Sequence, residues 1–185
     1  MKVLYGVTGS IATSVTVKIV RALEDAGHKV QIVATERARY FLNLSDAPGI
    51  LYPDVKIWTD ADEWNYEYGG TVQHIALREW ADMILIAPLS ANTLAKLANG
   101  LADNLLTSVM RAWHLERPVI VAPAMNTFMW EHPATAIHLK TLEGWYEHFS
   151  VVQPTVKKLA CGDTGIGALA EIPNIVIAVE RSTVK

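Results

Sequence analysis

The sequence predicts an α/β fold: a doubly wound parallel sheet flanked by helices on both faces. Three observations carry that expectation. The runs Lys2–Val7 and Lys29–Ala34 are apolar nearly throughout, as strands buried on both faces are. Amphipathic stretches at helical spacing separate such runs. The first run also ends in a Gly-Ser turn that opens a helix, the junction at which open α/β sheets bind ligands.

After the first strand, Ile11, Val15, Ile19, Ala22, Leu23 and Ala26 recur at helical spacing, and Gly27 is placed to end that helix as its C′ residue. Lys29–Ala34 is a second strand, Met83–Ala87 a third, Pro118–Ala122 a fourth, and Val151–Gln153 a candidate fifth. Helical patterns cover Ala34–Leu42, His74–Trp80, Asn92–Trp113, Pro133–Gly144 and Pro173–Val184. Ser45–Gly70 is the least regular stretch and reads as a connector inside one domain spanning residues 1–185.

Composition narrows the function classes. Hydrophobic residues make up 51% and charged residues 19%, which favours a large core over disorder. A net charge of −3 leaves no electrostatic footprint for nucleic acid. The single cysteine excludes an intramolecular disulfide and favours a reducing, cytoplasmic setting. No apolar run is long enough for a membrane span. One Cys and scattered His residues offer no zinc ligand pair, and neither a G-x-S-x-G elbow nor a P-loop is present.

Two strand-to-helix turns have binding chemistry. In "GVTGSIA", Gly9 lets the backbone approach a ligand, Ser10 offers a hydroxyl, and the free N–H groups of the helix start suit a phosphate. With Thr8 and Ser10 flanking a single Gly9 this is not G-x-G-x-x-G, so a mononucleotide is favoured over a dinucleotide. In "APLSANTLAKLANGLADNLL", Ser90, Asn92 and Thr93 stand at the next such turn. They read either as caps or as donors converging on a cofactor. Gly100, Asp103 and Asn104 read as a helix break with a cap for the next helix.

Three residues stand out as reactive. His74 opens an amphipathic helix and is either a partly exposed surface residue or a base. Cys161, in "KKLACGDTGIGALAE", is either a small buried hydrophobe or a reactive thiol on a glycine-rich flap, with Lys157 and Lys158 near enough to favour thiolate. In "PVIVAPAMNTFMWEHP", Asn126 is one amide among Met125, Phe128, Met129 and Trp130. It either caps a turn or orients an anion in a dry pocket.

The same segments carry a resemblance. "GVTGSIA", "DADEW", "HIALREWAD", "APLSANTLAKLANGLADNLLTSVMRAW", "PAMNTFMWEHP" and "LACGDTGIGALAE" together resemble the flavin-containing cysteine decarboxylases, a family of homo-oligomeric FMN proteins with a Rossmann-like flavoprotein fold. The likeness runs from Val3 to about Glu171. It implies FMN as cofactor, with contacts at Gly9, Ser10, Ile11, Thr35, Ser90, Ala91, Asn92 and Thr93, and Ala124 beside the ring. It implies His74 as the catalytic histidine, Cys161 as the proton-donating cysteine, and Asn126 as the residue holding the substrate carboxylate. Met125, Ala160 and Gly162 would border the substrate. Leu169 stands where many relatives have Met. Ala168 stands where bacterial fused members carry a basic residue.

The implied reaction is decarboxylation of 4′-phosphopantothenoylcysteine to 4′-phosphopantetheine in coenzyme A biosynthesis. Transient oxidation to a thioaldehyde places C=S β to the carboxylate, CO₂ leaves, and the enethiol is reduced again. The implied assembly is a homotrimer with sites at subunit interfaces. Two other classes of the family stand beside this one. Inhibitory subunits of a protein phosphatase usually carry long acidic or polar extensions, absent here. Decarboxylases of peptide C-terminal cysteines tend to lack the reductive cysteine.

Overall fold

The computed structural model describes residues 1–43, 55–158, 162 and 164–182. Cys161, Ala160 and the first part of the irregular stretch after Ser45 lie outside the described residues.

The main sheet combines β1 (Lys2–Val7), β2 (Lys29–Ala34), β3 (Ile57–Trp58), β4 (Met83–Leu89), β5 (Val119–Pro123) and β6 (Phe149–Val151). Among the described residues the strand order is β3-β2-β1-β4-β5-β6, and each neighbouring pair is parallel. The order reverses between β1 and β4, which makes their carboxyl ends the switch point of the sheet. β4 is buried at every position, including Ile84, Leu85 and Ile86 at 0% exposure. Each such side chain contributes about 1.5–3 kcal/mol over leaving it in water.

Two cores cover the two faces. On one, Val3, Tyr5 and Val7 pack with Ile19 and Leu23 of α1 (Thr16–Asp25) and with Ile175 and Val179 of α9, where α9 is Ile172–Arg181. On the other, Leu4, Ile84 and Ile86 pack with α4 (Gln73–Trp80), α5 (Ala91–Ala98), α6 (Leu105–Arg111) and α8 (Pro133–Trp145). The remaining helices are short: α2 (Glu36–Asn43), α3 (Asp60–Trp64) and α7 (Thr127–Glu131). An antiparallel hairpin of β7 (Thr155–Lys158) and β8 (Thr164–Ala168) stands outside the main sheet. No helix among the described residues is long and apolar enough to cross a membrane.

The first helical stretch starts as a 3₁₀ turn, Ile11–Val15, before α1, and Gly27 follows with φ +83. The helical stretch over Asn92–Trp113 is two helices, divided at the break read from the sequence: Gly100 takes φ +67 and Asn104 caps the new start. The fifth strand lies two residues earlier than expected, at Phe149–Val151, where pairing with Val119–Val121 sets its register.

His28, 9% exposed, has a buried Nε2 without a hydrogen-bond partner among the described residues. Burial first, and then the Met1 amino group, hold its imidazole below its ordinary 6.5, while Glu180 opposes them. The unfolded chain therefore takes up that proton first. His28's contribution is intact above pH about 6.5 and is lost as pH falls from there through the lowered folded value. Urea unfolding from pH 8 to 5 should show stability falling on the acid side, with a shallower fall in His28→Leu. Equal slopes would contradict this.

Candidate active site

At the switch point, a buried threonine ties the two turns together. Thr8 Oγ1 donates to Pro88 O (2.7 Å) and accepts from the Ser90 N–H (2.8 Å). Thr13 Oγ1 donates back to Thr8 O at 3.0 Å. The Ala87–Pro88 peptide between the last residues of β4 is cis. Ser10 caps the 3₁₀ turn by accepting from the Ala12 N–H (3.3 Å), and Ser90 caps α5 by accepting from the Thr93 N–H (3.3 Å). Thr35 caps α2 through the Ala38 N–H (3.2 Å), while its own N–H donates to Val7 O (3.1 Å). The capping reading of Ser90 is thus correct as local structure, Ser10 caps in the same way, and capping also fixes where these hydroxyls sit.

Between these turns lies a cleft of about 890 Å³, within the roughly 300–1,000 Å³ of small-molecule sites. Its lining includes Gly9, Ser10, Ile11, Thr35, Ser90, Ala91, Asn92, Thr93, Ala124 and Met125, so ten sequence-predicted residues meet in one place. A cavity of about 830 Å³ lies at the opposite, amino ends of the strands, beside Asp82, Pro118 and His148. Ligands of open α/β sheets bind at the carboxyl ends, so the first cleft is the candidate.

Packing also requires a glycine at position 9. A Cβ there would meet Arg37 Cβ at 2.6 Å, so the missing side chain lets α2 close against the turn.

The charges of the cleft were not legible as a group. Arg37 and Lys96 line it together with Glu36, Asp60 and Asp103. Lys96 pairs with Asp103 at 2.5 Å, and that hydrogen bond holds the Asp103 carboxyl below the usual range. Asp60 Oδ1 accepts from the Leu105 N–H at 2.9 Å and so caps α6 from outside. Arg37 lines the cleft and has no ion-pair partner among the described residues.

His74 and Asn126 are not among the residues lining this cleft. His74 is at the start of α4, where the sequence reading placed only a helix terminus; the structure adds a carboxylate. Glu63 Oε1 lies 2.5 Å from His74 Nδ1, and Glu63 Oε2 accepts from the His74 N–H at 3.0 Å. Asn126 caps α7, its Oδ1 accepting from the Phe128 N–H at 2.9 Å.

The glycines of β8 explain how the hairpin reaches Asn126. Gly167, at φ +140, accepts at its carbonyl from the Met125 N–H (2.9 Å), and a Cβ there would lie 2.2 Å from Met125 O. A Cβ on Gly165 would lie 2.4 Å from Thr127 Oγ1. The hairpin is thus seated on the Met125–Thr127 segment. Gly162 has φ +95, and a Cβ there would meet no atom of the described residues within 4 Å. Lys157, placed near the cysteine in the sequence reading, pairs with Glu171 at 2.6 Å.

The chain resembles known proteins over nearly its whole length. It is 46% identical over 183 residues to a phosphopantothenoylcysteine decarboxylase of Mus musculus, covering 97% of this chain and 85% of the relative. It is 44% identical over 186 residues to the enzyme of the same name from Oryza sativa subsp. japonica, covering 100% and 81%. Among solved structures it matches a cysteine-to-serine mutant of PPC decarboxylase complexed with pantothenoylaminoethenethiol. That match has a TM-score of 0.87 and 40% identity, covering 97% of this chain and 96% of that one. The FMN binding protein AtHal3 superposes with a TM-score of 0.84 and 41% identity, covering 97% and 95%. Residues 1–183 match the family model described as Flavoprotein, and with the parallel sheet and its switch-point cleft the chain belongs to the flavoprotein family.

Proposed function

We propose that this chain catalyses the FMN-dependent decarboxylation of 4′-phosphopantothenoylcysteine to 4′-phosphopantetheine, a step of coenzyme A biosynthesis. The observation that carries the reading is the near full-length likeness to a decarboxylase complexed with pantothenoylaminoethenethiol, whose name describes an enethiol lacking the cysteine carboxylate.

The cleft's donor set fits FMN. Hydroxyls of Ser10, Thr35, Ser90 and Thr93, the Asn92 amide and the Arg37 guanidinium suit a phosphate and a polar ring edge. Gly9, Ile11 and Ala91 complete those turns, and Ala124 leaves room beside a planar ring. When bound, FMN supplies a reversible hydride acceptor next to the substrate's cysteine side chain.

The chain's own residues do the rest. His74 exchanges a proton with the substrate. Asn126 holds the carboxylate; as a neutral amide it lacks the full ionic stabilisation that would oppose CO₂ loss. Cys161 donates the later proton, with Ala160, Gly162 and Met125 bordering the substrate.

The working unit in this reading is one FMN-binding domain, assembled as a cytoplasmic homotrimer with sites at subunit contacts. Ile11 and Met129 line the cleft yet are 60% and 49% exposed, and Phe128 beside them is 76% exposed. Apolar groups of this kind at a site's rim suit burial by a second copy. The absence of His74 and Asn126 from the cleft lining of one chain supports the same arrangement.

The test is Cys161→Ser, purified with FMN and given substrate without oxygen. It should release CO₂ and accumulate the enethiol, seen by mass spectrometry as a product two hydrogens lighter than 4′-phosphopantetheine. Normal turnover would overturn the role of Cys161. If wild-type protein released no CO₂, the decarboxylase reading would fall.

A further inference from the structure

His74 is held by one carboxylate at two points. Glu63 Oε2 takes the backbone N–H of His74 (3.0 Å) and Glu63 Oε1 approaches Nδ1 (2.5 Å). The Glu63 side chain is 10% exposed and that of His74 25%. An exposed contact between two such side chains would be mobile and weak; this one is mostly buried and anchored.

The anchoring lies in the other acids of "DADEW". Asp62 Oδ2 accepts from both the N–H (2.7 Å) and Oγ1 (2.8 Å) of Thr59, which fixes the entry to α3. Asp60 takes the N–H of Leu105, a fully buried residue of α6. Of these three carboxylates on one short helix, two fasten α3 and the third faces His74.

An ionised carboxylate only accepts hydrogen bonds, so a neutral imidazole beside it must carry its proton on Nδ1. Nε2 then holds the lone pair, and no described residue bonds Nε2. We propose that Glu63 is the positioning residue of His74: it fixes the ring and its Nδ1–H tautomer and presents Nε2 as the basic atom. This rests on reading His74 as the acid–base group. The Glu63 contact itself can be tested apart from turnover.

The test compares wild type with Glu63→Gln, an isosteric change whose amide can donate to Nδ1 and so permit the other tautomer. Histidine is labelled with ¹⁵N and spectra are recorded at alkaline pH, with His74 assigned by its absence in His74→Asn. Wild type should show His74 as the Nδ1–H tautomer, and Glu63→Gln should shift it toward Nε2–H. In parallel, kcat for CO₂ release should fall roughly 10²- to 10⁴-fold, as when a base loses its tautomer, with KM changing by less than about threefold.

A wild-type Nε2–H tautomer overturns the proposal on the native protein alone. So does a Glu63→Gln variant that keeps both tautomer and kcat. A tautomer shift in a protein whose wild type releases no CO₂ supports the contact and overturns the decarboxylase reading instead.

Discussion

Asn126→Asp should lower CO₂ release by about 10³-fold or more while the protein stays folded and binds FMN. The two roles of Asn126 separate in this variant. As an N-cap, Asp is equivalent to Asn, so the bond that Oδ1 accepts from the Phe128 N–H survives. As a partner for a carboxylate, Asp is repulsive. Like charges forced together in a water-poor site cost several kcal/mol, and each 1.4 kcal/mol or so is tenfold in rate. Asn126→Ala is the mirror experiment, losing the cap at about 1 kcal/mol together with the carboxylate contact. Steady-state CO₂ release, urea unfolding and flavin absorbance on both variants decide the matter. An active Asn126→Asp would leave Asn126 as a cap alone.

Gly167→Ala should both destabilise the protein and stop turnover. The added Cβ meets backbone, Met125 O, at 2.2 Å, and φ +140 is a conformation L side chains rarely adopt. Strain of this kind costs about 1–3 kcal/mol, and the clash adds to it by breaking the Met125 N–H to Gly167 O bond. A total near 2–4 kcal/mol lowers Tm by about 5–15 °C in a chain of this size. Activity should fall further than stability accounts for, because β8 separates from the segment that carries Asn126. Gly162→Ala is the control, since φ +95 is strained there but the added Cβ meets no described residue within 4 Å. Equal thermal shifts in the two variants would show that the seat of the hairpin is not what Gly167 provides.

How legible each element is in the sequence depends on how local its cause is. β1 and β2 are bounded where the sequence places them, because each is a run apolar nearly throughout and closed by a threonine, Thr8 or Thr35. The strand-to-helix turns were equally legible. Their chemistry lies in consecutive residues, and Gly9, Ser10, Ser90 and Thr93 come together because β1 and β4 are neighbours in the sheet. Asn92–Trp113 keeps helical spacing through Leu101, yet the break was legible too, because Gly100 and the capping Asn104 are local signals and the structure divides the stretch there.

The rest depends on relations between distant residues. β3 is two residues long, too short for any periodicity. Gly165 and Gly167 read only as part of a glycine-rich flap, and it takes the packed structure to show that Thr127 and Met125 leave no room there for a Cβ. The Glu63–His74 pair spans two helices and the connector between them, so nothing local to "DADEW", inside the irregular stretch Ser45–Gly70, signalled it.

The most direct measurement is the mass of the product when purified, FMN-loaded protein meets phosphopantothenoylcysteine without oxygen. The account predicts 4′-phosphopantetheine, formed catalytically, which requires decarboxylation and the final reduction in one site. Accumulation of the enethiol would contradict the second half of the account. Unreacted substrate, with flavin bound, would contradict all of it.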